Sequence, residues 1–161
     1  MRVYRGTHSN PLHHVFIAAG VEAGHPFTDD FNGYQQEGVG SLDRTIHEGK
    51  RWSAASAYLK PALPRDNLTT ETRALANRVL FENGKAIGVE YRVGDSVKRA
   101  RASKEVILSG GVVNSPQLLM LSGIGDETEL KSLGIPMVAK LPGVGKNLQD
   151  HVQVYVQYVS N

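Results

Sequence analysis

Within one short span this sequence commits to a strand, a glycine turn and a helix. Val106-Ile107-Leu108 is continuously apolar, Ser109-Gly110-Gly111 follows at once, and Ser115-Pro116 opens an apolar stretch that Gly123 stops. A short apolar run without alternation predicts a strand buried on both faces. Pro at an early helix position and Ser before it predict a helix start at Ser115-Pro116, with Leu118-Leu119-Met120-Leu121 in the core. The free N–H groups of that helix would point back towards the glycines. Glycine at such a corner serves either close strand–helix packing or the approach of a cofactor edge. The residues themselves leave both open.

The flanking sequence predicts a mixed α/β chain. Asn10-Pro11, with Leu12, Val15, Phe16, Ala19 and Ala23 at helical spacing, predicts a helix that Gly24 and His25-Pro26 end. Residues 27–50 are polar and Gly-rich and read as a long structured loop, a length that in a compact domain is usually functional. Ser53–Leu59 predicts a short helix stopped by Pro61 and Pro64. From Leu68 the period becomes two, and Asn83-Gly84 predicts a hairpin turn between Arg78–Glu82 and Lys85–Val93. Gly94-Asp95 turns the chain again into Ser96–Ala102, making a β-meander. Asp126 with Glu129 predicts a helix N-terminus, Glu127 and Lys131 an i,i+4 pair, and Gly134 with Pro136 the stop. Val152, Val154 and Val156 alternate as in a strand whose partner must be found elsewhere.

Several function classes drop out. No apolar run approaches the ~20 residues of a membrane-spanning helix, and the mean hydropathy is −0.28. A net charge of +2 gives no global signal for nucleic acid. The densest basic patch, Lys98, Arg99, Arg101 and Lys104, reads as a solvated hairpin face. Cysteine is absent, which removes disulfides, thiolate metal sites and cysteine nucleophiles. His8, His13, His14, His25 and His47 lack metal-ligand spacing, and adjacent Asp150-His151 would face opposite ways on a strand. Trp52 reads as a packing anchor. Gly143-Val144-Gly145-Lys146-Asn147-Leu148 and Gly38-Val39-Gly40 each fail the dinucleotide fingerprint at its last glycine, and neither a P-loop nor a Gly-x-Ser-x-Gly elbow is present.

The run from Ser109 to Gly125, followed by Leu141-Pro142-Gly143-Val144-Gly145-Lys146-Asn147-Leu148-Gln149-Asp150-His151, resembles the glucose-methanol-choline family of flavin-dependent alcohol oxidoreductases. Asn32–Gly38, Thr45–Ala55 and Ser103–Gly111 look most like its choline-oxidising members. The resemblance implies part of an FAD-binding Rossmann-like domain over residues 1–145 and the first strand of a substrate domain over 146–161. It implies an internal part of a longer enzyme that takes choline to betaine aldehyde, in glycine betaine synthesis, by hydride transfer to FAD. Electrons would pass to a quinone or respiratory-chain acceptor, in mitochondria, with peripheral attachment to the inner membrane. No nucleic acid or metal is expected. The family's proton-transfer histidine and G-x-G-x-x-G belong to segments beyond these residues, so no catalytic residue is assigned. Ala76, Ser109 and Gly110 map to cofactor contacts, and His151 and Gln153 to the substrate side.

Two departures from the family pattern stand out. Ala76 replaces a usual Val near the adenine. Gln153 replaces the Glu that commonly faces the trimethylammonium group, removing a charge worth roughly 3 kcal/mol at ~5 Å. The alternatives carried are a broader alcohol dehydrogenase of the same family and a non-catalytic truncated product.

Overall fold

The computed structural model describes residues 1–6, 10–157 and 159. The chain forms two compact units, Met1–Thr70 and Glu71–Asn161. His8 lies outside the described residues.

In the first unit, β1 (Tyr4–Arg5) pairs antiparallel with β2 (Asp43–Arg44), and Arg5 Nε donates to Asp43 Oδ1 at 3.2 Å. Helix α1 (Leu12–Glu22) forms as its apolar spacing predicts, and Gly24, at φ 91°, turns the chain out of it. The long loop is braced from within. Buried Thr28 donates from Oγ1 to the carbonyl of Gln35 at 2.7 Å and accepts from the N–H of Asp30 at 3.3 Å. The Thr28 N–H donates to the Val39 carbonyl at 3.0 Å. The two edges run so close that a Cβ on Gly40 would sit 2.0 Å from the Thr28 carbonyl oxygen. β3 (Ile46–His47) and β4 (Lys50–Arg51) form a hairpin, closed by Glu48 and Gly49 at φ 49° and 72°. Half-buried Trp52 meets His47 edge-on, with ring centroids 4.7 Å apart, as a packing anchor should.

The second unit is built on the meander β5 (Ala74–Glu82), β6 (Lys85–Val93) and β7 (Ser96–Arg101), antiparallel throughout. Asn83 and Gly84 both take positive φ, 50° and 76°, which a two-residue hairpin of the right twist requires. Asn77 is a bulge, because Ala76 pairs with Tyr91 while Arg78 pairs with the very next residue, Glu90. Glu90 is a charge hub: Arg78 donates to it at 3.2 and 3.3 Å and Arg99 at 3.0 and 2.9 Å. Those two guanidinium groups hold its carboxyl below the usual glutamate value.

Helix α3 (Gly111–Leu121) follows, then β8 (Ile124–Gly125), α4 (Glu127–Ser132) and β9 (Ala139–Lys140), with β8 and β9 parallel. Asp126 Oδ1 accepts from the N–H groups of Thr128 and Glu129, and the helix closes in a Schellman motif on Gly134. Leu130, from α4, is the only fully buried large side chain among the described residues.

The mixed α/β class stands, but five local expectations are corrected. Pro61 does not stop the second helix. The chain widens into a π-helical stretch at Ala55–Leu59, where Lys60 N–H reaches back to the Ala55 carbonyl, and α2 (Lys60–Ala62) carries Pro61 in its first turn. Pro116 lies inside α3, which starts earlier at a Gly110 cap, so Ser115-Pro116 is no helix start. The apolar Leu118–Met120 are only half-buried and Leu121 is exposed. Glu127 pairs with Lys140 at 2.9 Å, and Glu129 with Lys146, in place of the Glu127–Lys131 pair. Val106–Leu108 and 151–157 take no regular secondary structure, with Ile107, Val152, Val154 and Val156 exposed, because among the described residues no strand lies beside them.

Candidate functional site

A cleft of about 470 Å³ opens between β5 and the corner where the Val106–Leu108 segment enters α3. Its walls are apolar: Leu75 and Ala76 from β5, Val89 from β6, Val106 and Leu108 from the segment before the corner, and Leu118 and Leu121 from α3. Ser109, Gly110, Asn114, Ser115 and Gln117 supply its polar rim. Among the described residues no ionisable side chain lines it. Such a cleft can hold a flat uncharged group, but has nothing of its own to accept or donate a proton in catalysis.

Local backbone explains the corner. Gly110 caps α3, its N–H donates to Ser115 Oγ at 2.9 Å, and Gly111 takes φ 84°. A Cβ on Gly111 would meet nothing within 4 Å, so glycine there serves the turn. Opposite, the Asn77 bulge ends the cleft-lining part of β5 and re-aims the strand beyond it.

Ser122 directly follows the cleft-lining Leu121. This serine is 6% exposed, and its Oγ accepts from the Val79 N–H at 2.8 Å and donates to the Leu118 carbonyl at 2.5 Å. Gly123 follows at φ 84°, where a Cβ would sit 2.3 Å from the Pro136 carbonyl oxygen. In the sequence Gly123 reads as a helix stop, and Ser122 carries no reading of its own. The signal it carried, a small hydroxyl residue directly before an obligatory glycine, gave no hint of the partner on β5.

Of the residues singled out from sequence, Ala76, Ser109 and Gly110 come together on this one cleft. His151 and Gln153 do not join it; both lie exposed in the 151–157 segment, and the His151 N–H donates to Asp150 Oδ1 at 2.7 Å. The basic patch is largely neutralised by ion pairs, Lys98 with Glu71, Arg99 with Glu90 and Arg101 with Glu82. A second, more open cleft of about 800 Å³ runs along the outer face of α3, between Val112, Val113 and Pro116 and the Gly145–Gln149 turn. Among the described residues no helix is long and apolar enough to cross a membrane.

Known proteins give this geometry a family. The mitochondrial choline dehydrogenase of Homo sapiens is 62% identical over 157 residues, 98% of this chain and 26% of that protein. The oxygen-dependent choline dehydrogenase of Pseudomonas putida is 57% identical over 153 residues, 93% of this chain and 27% of its own length. Among solved structures, an FAD-dependent oxidoreductase from Chaetomium thermophilum superposes with a TM-score of 0.81 at 29% identity, covering 88% of this chain and 25% of that one. The chain thus spans about a quarter of the length of the relatives it matches. The GMC oxidoreductase model matches residues 1–153, and the chain belongs to that family.

Proposed function

We propose that these residues serve an FAD-dependent oxidation of a small-molecule alcohol, choline, to its aldehyde. The observation that carries this reading is the convergence of Ala76 with Ser109 and Gly110, more than thirty positions on in the sequence, on one neutral apolar cleft. Those residues fit the cofactor. Ala76 offers a small side chain beside an apolar wall suited to the adenine ring, and the side-chain-free Gly110 leaves room at the rim. FAD, when bound, supplies the acceptor for the hydride leaving the alcohol carbon. The residues described here orient and desolvate it, and no proton transfer is assigned to any of them.

Choline is supported by the names of the two relatives above. His151 and Gln153 are proposed to face it, with Gln153 giving no charge to the quaternary ammonium. Residues 1–145 belong to the cofactor domain in this reading, and 146–161 enter the substrate domain. Mitochondrial placement follows the human relative's name, with inner-membrane association and a quinone or respiratory-chain acceptor as the finer part of the proposal.

Steady-state oxidation of choline and of an uncharged alcohol of similar size by the full-length gene product tests this reading. A much lower KM for choline supports it. Equal KM values favour a broader alcohol dehydrogenase, and absence of turnover a non-catalytic product. Gln153→Glu is expected to lower the choline KM by up to about a hundredfold, the worth of a carboxylate ~5 Å from the cation. An unchanged KM removes Gln153 from the substrate side.

A further inference from the structure

We propose that Ser122 is a positioning residue that sets the cofactor cleft before FAD arrives. The inference rests on the reading of that cleft as the cofactor's. The two walls come from elements with no covalent reason to stay in register: β5 carries Leu75 and Ala76, and α3 carries Leu118 and Leu121. Among the described residues, the hydrogen bond that ties the meander to α3 is the one from the Val79 N–H to Ser122 Oγ, spanning 43 positions. Val79 lies three residues beyond Ala76 on β5, and Ser122 directly follows Leu121. The clamp therefore joins the two walls just beyond the residues that line the cleft.

The same oxygen donates back to the Leu118 carbonyl, so it is fixed on its own helix as well as on the strand. Val79 and Ser122 are both buried, at 5% and 6% exposure, so water is a poor substitute for either partner. Removing the hydroxyl leaves the Val79 N–H unpaired and lets the end of α3 shift along β5. Fewer molecules then hold the cleft at cofactor width, and apparent affinity falls by that fraction. Ser122 is not itself among the residues that line the cleft; it touches the lining only through the Leu118 carbonyl and its chain neighbour Leu121. Its effect is on position alone.

The test is FAD affinity of the full-length gene product, stripped of flavin and titrated by the quenching of flavin fluorescence. Ser122→Ala is expected to raise the FAD Kd about tenfold, the scale of one lost buried hydrogen bond, and Ser122→Thr, which keeps the hydroxyl, to recover most of it. Leu130→Ala removes a fully buried side chain outside the cleft. It is expected to lower stability and leave the Kd unchanged. Should Ser122→Ala not fold, Ser122→Cys, a weaker acceptor, carries the same comparison. A wild-type Kd for Ser122→Ala overturns the proposal, as does an equal rise for Leu130→Ala. A parent protein that binds no FAD at all removes the cofactor reading beneath it.

Discussion

The meander and the 151–157 segment are written in the same alternating pattern, yet only one of them forms a sheet. Across β5 to β7 every strand has its partner within a two-residue turn, and Asn83-Gly84 and Gly94-Asp95 supply the backbone angles that bring it there. Val152, Val154 and Val156 alternate as cleanly and lie exposed, beside no strand among the described residues. Alternation states a demand for a neighbour. A local turn is what meets the demand, because closing two residues costs far less chain entropy than recruiting a distant strand. Val106–Leu108 teaches the same lesson with a continuous apolar run.

The sharpest way to break this contrast is at Gly88, where β6 meets β7. A Cβ there would sit 2.2 Å from the Ala100 carbonyl oxygen, with backbone rather than a flexible side chain in the way. Gly88→Ala should cost about 3 kcal/mol in chemical denaturation by overpacking. A near-neutral result would mean the meander is not closely paired in solution.

Glu90 gives a smaller effect with a pH signature. Arg78 and Arg99 hold its carboxyl below the ordinary value of 4.5, so the folded chain binds that proton less readily than the unfolded one. Its stabilising contribution is complete above pH 4.5 and is lost as pH falls through the lowered folded value. Glu90→Gln should therefore trail the parent by a constant margin at neutral pH, with the margin shrinking below 4.5 in a series of melting curves. A gap that persists in acid would contradict the charge account.

The smallest expected change is at the other side of the comparison. Val154, 79% exposed, should accept Thr within about 0.5 kcal/mol. A larger cost would show that this segment finds a pairing partner after all, and would erase the contrast.

How far the sequence could be read follows the same division. Asn83-Gly84, the Asp126 cap and the Gly134 stop were legible because each is decided by residues a few positions apart, and the structure realises all three. The prolines misled. Pro61 and Pro116 both sit within helices, one after a π-helical stretch that relieves the crowding and one in a helix whose start is set by Gly110. Ion-pair choice was also beyond local spacing, since Glu127 turns to Lys140 across the fold instead of to Lys131 on its own helix. At the site, glycine and small residues marked the rim, whereas Ser122 could not be found. Its partner is a backbone N–H, and a backbone group leaves no trace in a side-chain pattern.

The cleft between β5 and the Ser109–Gly110 corner is the centre of the account, and Ala76 is the direct way to question it. Ala76→Arg would push a long charged side chain into walls that carry no ionisable group. The visible absorption spectrum of the purified full-length gene product, with and without this substitution, reads the answer. A flavin spectrum is expected in the parent, and its loss in a variant that still folds by circular dichroism. Retention of stoichiometric flavin by a folded Ala76→Arg protein would place the cofactor elsewhere and contradict this reading of the cleft.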